Sequence, residues 1–101
     1  MTQIDNKTHD DIQTHITAWL SGTTRQKKAN AAYALYQALT HAKVTRAAGN
    51  TSWEISDDLL KQALQINPTR ADMKERFVAE ARLVNAARKL IAISKPSPRQ
   101  K

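Results

Sequence analysis

The feature that most constrains this chain is residues 25–48, a run without proline or glycine in which alanine is abundant. Alanine has the highest helix propensity, and nothing in the run would interrupt a helix. Apolar side chains recur through it every three or four residues, which is the spacing of one helical face. Thr23 and Gln26 match a capping box, and Gly49 supplies a stop. The run therefore predicts a long helix over 25–47.

Three other segments combine a capping signal with helical periodicity. The caps are Thr8, Ser56 and Thr69, each followed by acidic residues that suit the positive end of a helix dipole. Pro68 disfavours helical geometry at Asn67 and so separates the last two segments. The predicted helices cover residues 9–21, 25–47, 57–66 and 70–93.

These patterns predict an all-α fold, a small four-helix domain. A length of 101 residues suits a single domain, over 9–93. Residues 1–8 are expected to be a flexible N-terminus, and residues 94–101 a disordered basic tail, because they are polar and interrupted by proline. Residues 51–55 alternate between apolar and polar and can form a short extended piece.

The fourth helix carries an apolar stripe that should face the core. Phe77, the only phenylalanine, lies in mid-stripe, and we expect it to be buried against the second and third helices. Glu80 falls inside the same stripe, where a carboxylate needs a partner. Arg76 can supply an ion pair, and Tyr33 or Tyr36 a hydrogen bond; alternatively, Glu80 is a polar contact residue in a groove for a partner. The stripe consists of Met73, Phe77, Val84, Ala87 and Ile91.

Several kinds of chemistry have no counterpart in the sequence. There is no cysteine, and there is no Gly-rich phosphate loop or nucleophile motif. The three histidines, His9, His15 and His41, are scattered rather than spaced as metal ligands. We therefore expect no enzymatic activity, cofactor or metal. The absence of a secretory signal and of an 18-residue apolar segment predicts a cytoplasmic protein that does not enter a membrane.

The charge is strongly positive and unevenly distributed. The net charge is +7, and residues 25–46 hold five basic residues and no acid. Residues 69–101 hold nine basic residues against three acids. Such an excess favours an anionic partner, and nucleic acid is the first candidate, with DNA favoured over RNA. The candidate contact residues are Arg25, Lys27, Lys28, Arg70, Lys74, Arg76, Arg82, Asn85 and Lys89.

Residues 57–77 raise the question of a helix-turn-helix. Ala63, Ile66 and Met73 stand where that motif has small or apolar residues, and Asn67 tolerates the backbone of its turn. Arg76, in contrast, occupies a position that should be apolar. The segment is therefore either a helix-turn-helix-like corner that reads DNA or an ordinary corner between packed helices.

The sequence leaves several functions open. The first is a small DNA-binding regulatory or accessory protein, in which Lys and Arg neutralise phosphates. The second is an adaptor or inhibitor that docks a basic helical face on an acidic protein surface, such as that of a nucleic-acid-processing enzyme. A homodimer that completes its core with a second copy is a third. Trp19 and Trp53 could stack on bases, but their apolar neighbours favour core packing.

Overall fold

The structure, a computed structural model, describes residues 2–44 and 53–96. Within these residues it confirms the predicted all-α fold, a small domain built on four helices, and adds three very short strands. The predicted helical residues 45–47, residues 51–52 of the extended piece and residues 97–101 of the tail lie outside the described part. The elements are β1 (Thr2–Ile4), α1 (Asn6–Ser21), α2 (Arg25–Val44), β2 (Trp53–Ile55), α3 (Asp57–Leu64), a 3-10 turn (Pro68–Arg70), α4 (Met73–Ile93) and β3 (Lys95–Pro96).

The first helix begins at Asn6, earlier than the predicted start after Thr8. Its cap is Asp5, whose carboxylate accepts a hydrogen bond of 2.8 Å from the backbone N–H of Thr8. This bond also lowers the pKa of Asp5. Residues 2–8 therefore form a strand and the start of a helix, in the segment for which a flexible N-terminus was predicted. An Asp with a suitable N3 amide is as good a cap as Thr, and it lies three residues further upstream.

The strands form a small antiparallel sheet in the order β1-β2-β3. The expected extended piece is confirmed as β2, whereas the pairing of β1 and β3 with it was not predicted. Ile4 of β1 and Ile55 of β2 are 1% and 0% exposed, so their burial packs these two strands against the helices. Trp53 stacks on His9 with ring centroids 3.8 Å apart, so the sheet is also tied to α1.

The core lies between the helices and is made of aliphatic side chains. Leu35 and Leu39 of α2, together with Leu83 and Leu90 of α4, are 0% exposed. The alanines of α2 allow close helix packing, because Ala31, Ala32 and Ala42 are all buried. No helix in the described residues is long and apolar enough to cross a membrane.

The predicted apolar stripe of α4 was right for its C-terminal half and wrong for its first two turns. Met73 is 86% exposed and Phe77 is 46% exposed, so Phe77 is not buried against the second and third helices. Phe77 instead lies beside Trp19 of α1, with ring centroids 5.5 Å apart. The apolar pattern of α4 extends toward its N-terminus past the part of the helix that the other helices cover. The buried residues of α4 are Glu80, Leu83, Val84, Ala87 and Leu90. Val84 and Ala87 of the predicted stripe are thus buried, and Ile91 is half-buried.

The corner between α3 and α4 is longer than predicted. Eight residues, 65–72, separate the helices, and α4 begins at Met73 with Asp72 as its cap rather than at Arg70. The side chain of Asn67 caps the intervening 3-10 turn by accepting from the backbone N–H of Thr69 at 3.0 Å. Pro68 is buried. A helix-turn-helix has a turn of three to four residues, so this corner departs from that motif.

Candidate nucleic-acid interface

A buried ion pair fixes the orientation of α4. Glu80 is 1% exposed, and its carboxylate accepts two hydrogen bonds from the guanidinium of Arg25, at 2.9 and 2.7 Å. The indole Nε1 of Trp19 donates a third, at 3.0 Å. The burial of Glu80 was predicted correctly, but its expected partners, Arg76 or a tyrosine, were wrong. Because α1, α2 and α4 each contribute one side chain, the opposite face of α4 is held toward solvent.

That opposite face carries the basic residues. Successive helical residues are rotated by 100°, so the side chains of this face lie within about 80° of one another and roughly opposite Glu80. All of them are exposed, and within the described residues no carboxylate forms an ion pair with the basic ones. The row is about 22 Å long at 1.5 Å per residue. We call it the outer face; it consists of Lys74, Val78, Arg82, Asn85 and Lys89.

A groove lies between the corner and the N-terminal half of α4. It encloses about 520 Å³, and two arginines, Arg70 and Arg82, line it together with the acidic Glu75. We call it the arginine groove. Arg70 reaches it from the end of the 3-10 turn, not from α4. The remaining lining residues are Gln65, Ile66, Asn67, Ala71, Val78 and Ala79.

A second groove lies on the other side of the corner, against α2. It encloses about 440 Å³ and shares Asn67 with the arginine groove. We call it the tyrosine groove. Tyr33 is 51% exposed, whereas the hydroxyl of Tyr36 donates a 2.8 Å hydrogen bond to the backbone oxygen of Leu64. The lining consists of Tyr33, Tyr36, Gln37, Thr40, His41, Asn67 and Thr69.

The basic residues at the start of α2 are not part of the outer face. Arg25 is bound to Glu80, which raises the pKa of Arg25, and its guanidinium also lies 5.4 Å from the ring centroid of Phe77. The ammonium of Lys28 donates to the backbone oxygen of Trp19 at 2.6 Å and lies 4.1 Å from a Trp19 ring centroid. Lys27 is exposed. Two of these three cations thus stabilise the junction of α1, α2 and α4.

Arg76 also lies away from the outer face. It is half-buried, and by helical rotation it stands near Glu80 and Leu83 on the inner side of α4. Its Nε is buried and has no hydrogen-bond partner within the described residues. Five of the predicted contact residues therefore lie on the outer face or line the arginine groove. They are Arg70, Lys74, Arg82, Asn85 and Lys89.

Several residues that line the two grooves were not among the predicted contact residues. Gln65, Val78 and Ala79 line the arginine groove, and Thr40 and Thr69 line the tyrosine groove. Val78 carried a signal, since an apolar residue in the middle of a charged helical face is out of place on a plain solvated surface. Both grooves border the long corner between α3 and α4. No local sequence pattern indicates how long this corner is.

Comparison with known proteins adds no relative: no family model, curated protein or solved structure matches this chain. Within residues 2–44 and 53–96, no three His, Asp or Glu side chains are grouped so that they could hold a metal ion.

Proposed function

We propose that this protein binds nucleic acid, with DNA favoured over RNA, through the outer face of α4 and Arg70. The observation that carries the proposal is the row formed by Lys74, Arg82 and Lys89, which is exposed and forms no ion pair with a carboxylate in the described residues. Positive side chains on one face lower the free energy of a bound polyphosphate through counterion release. The role would be regulatory or accessory, in the cytoplasm.

The geometry favours a helix that lies along the phosphate backbone. Arg70 is outside α4, and the eight-residue corner is too long for a helix-turn-helix, so the end of α4 is not set up as a recognition helix. The cations of the outer face are instead spread over about 22 Å, from Lys74 to Lys89. Such contacts position a protein on its target without reading its sequence. Asn85, between Arg82 and Lys89, is the side chain best placed to touch a base edge.

The salt dependence of binding tests this proposal. Affinity for a random DNA duplex is measured by fluorescence anisotropy between about 20 and 200 mM salt, for wild type and for Lys89→Gln. If Lys89 contacts a phosphate, the log–log slope should flatten by about one unit, and all sequences should be weakened alike. Lys61→Gln is the matched control, because Lys61 is an exposed lysine on α3, outside the outer face. No binding by wild type at the lowest salt would overturn the proposal.

A second candidate function is docking on an acidic protein surface. Val78 favours it, because this side chain is 55% exposed in the middle of the outer face. An apolar group contributes little to a phosphate contact but is typical of the centre of a protein interface. If Val78→Ser leaves duplex binding unchanged and wild type binds a poly-glutamate peptide more tightly than DNA of equal charge, this second function is the better account.

A further inference from the structure

The corner between α3 and α4 is bordered by two grooves of different chemistry. The arginine groove on the α4 side contains Arg70 and Arg82, and the tyrosine groove on the α2 side contains the exposed ring of Tyr33. Asn67 lines both, and the neighbouring residues Thr69 and Arg70 line one groove each. Consecutive Cα atoms are about 3.8 Å apart, so the two grooves meet across a single turn of backbone.

The available groups match the parts of a nucleotide. Arg70 and Arg82 can hold a phosphate, and the apolar side chains of the arginine groove add a surface without charge. Tyr33 offers the face of a ring that the protein core does not use, since half of the side chain is exposed. Asn67 accepts from the N–H and hydroxyl of Thr69 with its oxygen, at 3.0 and 2.6 Å. Its amide nitrogen, which has no partner within the described residues, remains able to donate to a base.

We infer that the corner binds a single-stranded segment of nucleic acid, with one base stacked on Tyr33 and an adjacent phosphate held by Arg70. This inference rests on the proposed nucleic-acid binding and deepens it by naming the form of the ligand. A duplex keeps its bases stacked on one another, whereas a single strand presents base faces that an aromatic side chain can cover. An acidic peptide would need only the positive charges of the corner. A site that combines Tyr33 for a base with Arg70 for a phosphate therefore favours a single strand over such a peptide.

Among the described residues, Glu75 is the one carboxylate that lines the arginine groove. Arg70 and Arg82 leave the groove with a net positive charge, which suits a phosphate. None of the described residues that line the tyrosine groove is acidic. The base is therefore expected on the tyrosine side and the phosphate on the arginine side.

The experiment compares a 12-nucleotide single strand with a duplex of the same sequence at low salt. Tyr33→Ala should weaken binding of the single strand about 10-fold and leave the duplex within about 2-fold, because one stacking contact is lost. Tyr33→Phe retains the ring and should bind the single strand like wild type. Tyr33 is half exposed, so melting of Tyr33→Ala near the wild-type temperature should verify that its fold is intact. Lys89→Gln, on the outer face, should weaken both forms alike.

A direct readout accompanies the affinities. The ring protons of Tyr33 should shift upfield in the NMR spectrum when the single strand is added, as expected for a ring stacked on a base. Arg70→Gln should weaken the single strand more than the duplex.

Each other outcome identifies what has failed. If wild type binds the duplex but Tyr33→Ala weakens both forms equally or neither, the inference is overturned and the proposed function stands. If a poly-glutamate peptide binds as tightly as the single strand, the corner selects charge and not bases, which also overturns it. If wild type binds neither nucleic acid, the proposed function fails together with the inference.

Discussion

The carboxylate of Glu80 and the guanidinium of Arg25 form a two-pronged ion pair with distances of 2.9 and 2.7 Å. Glu80 is almost completely buried, whereas the side chain of Arg25 is 47% exposed. The two residues are 55 positions apart in the sequence and join the beginning of α2 to the middle of α4. The pair therefore determines which side of α4 faces the core and which side forms the outer face.

Removing Arg25 should destabilise the fold. Arg25→Ala leaves the Glu80 carboxylate with Trp19 as its remaining hydrogen-bond partner in the described residues. Breaking a buried ion pair costs about 3–5 kcal/mol, and we expect about 3 kcal/mol, because the exposed side of Arg25 gives water partial access. Urea unfolding measures the difference. The double variant Arg25→Ala with Glu80→Gln should recover part of the loss, because it removes the unpaired charge while the amide oxygen can still accept from the indole of Trp19. A double variant less stable than Arg25→Ala would contradict this reading.

Phe77 should contribute less to stability than a core residue. Its ring contacts Trp19 and lies under Arg25, but it is half exposed. Phe77→Ala is expected to cost roughly 1–2 kcal/mol, from one aromatic pair and one cation–π contact. Leu83 is 0% exposed, and Leu83→Ala should cost about 2–5 kcal/mol. Thermal melting of both variants compares them directly, and a Phe77→Ala loss equal to that of Leu83→Ala would mean that the ring is buried.

Glu80 and Phe77 illustrate how far the sequence could predict the fold. Caps and helical periodicity are local, so the four helices and the inward orientation of Glu80 could be read from neighbouring residues. The apolar spacing of α4 includes Met73 and Phe77, and nothing in the sequence indicates that the other helices do not cover these two residues. Burial of that face is decided by where α1 and α2 meet, which depends on contacts between distant residues.

The same limit applies to the candidate site. The exposed cations of α4 follow from its periodicity, so Lys74, Arg82 and Lys89 could be identified in advance. In the sequence, Arg25 and Lys28 are positive charges that cannot be distinguished from these exposed cations. They are engaged by Glu80 and by the backbone of Trp19, and no local pattern distinguishes an engaged cation from a free one.

His9 should make stability depend on pH. It is 4% exposed, its ring stacks on Trp53, and its Nε2 lies 3.3 Å from the hydroxyl of Ser94. Burial lowers the pKa of His9, an effect that the nearby Asp10 partly opposes. A lowered pKa means that the folded state resists protonation. Stability is therefore full above about pH 6.5, the unfolded value, and falls as the pH drops below it toward the folded value.

Urea unfolding at pH 7.5 and pH 5 measures this effect. Wild type should lose stability between the two, and His9→Gln should lose less, because the titrating group has been removed. His15→Gln is the control on the same helix and should keep the wild-type dependence. The pKa of Asp5 is lowered, so its carboxylate stabilises the fold at both of these pH values and loses that effect only below its ordinary pKa; Asp5 therefore adds little to the difference. Equal pH dependence in wild type and His9→Gln would exclude His9 as the source.

Glu75 should oppose the binding of a polyanion. It lines the arginine groove with Arg70 and Arg82, and by helical rotation it borders the outer face next to Arg82. Glu75→Gln removes one negative charge while keeping the shape of the side chain. We expect affinity for DNA to rise a few-fold at low salt, and the gain to shrink as salt screens the charges. Asp58→Asn makes the same change in charge at an exposed position on α3, away from the groove, and should have a smaller effect. If the two variants gain equally, only the net charge of the protein matters, and if Glu75→Gln gains nothing, the phosphates do not pass this side of α4.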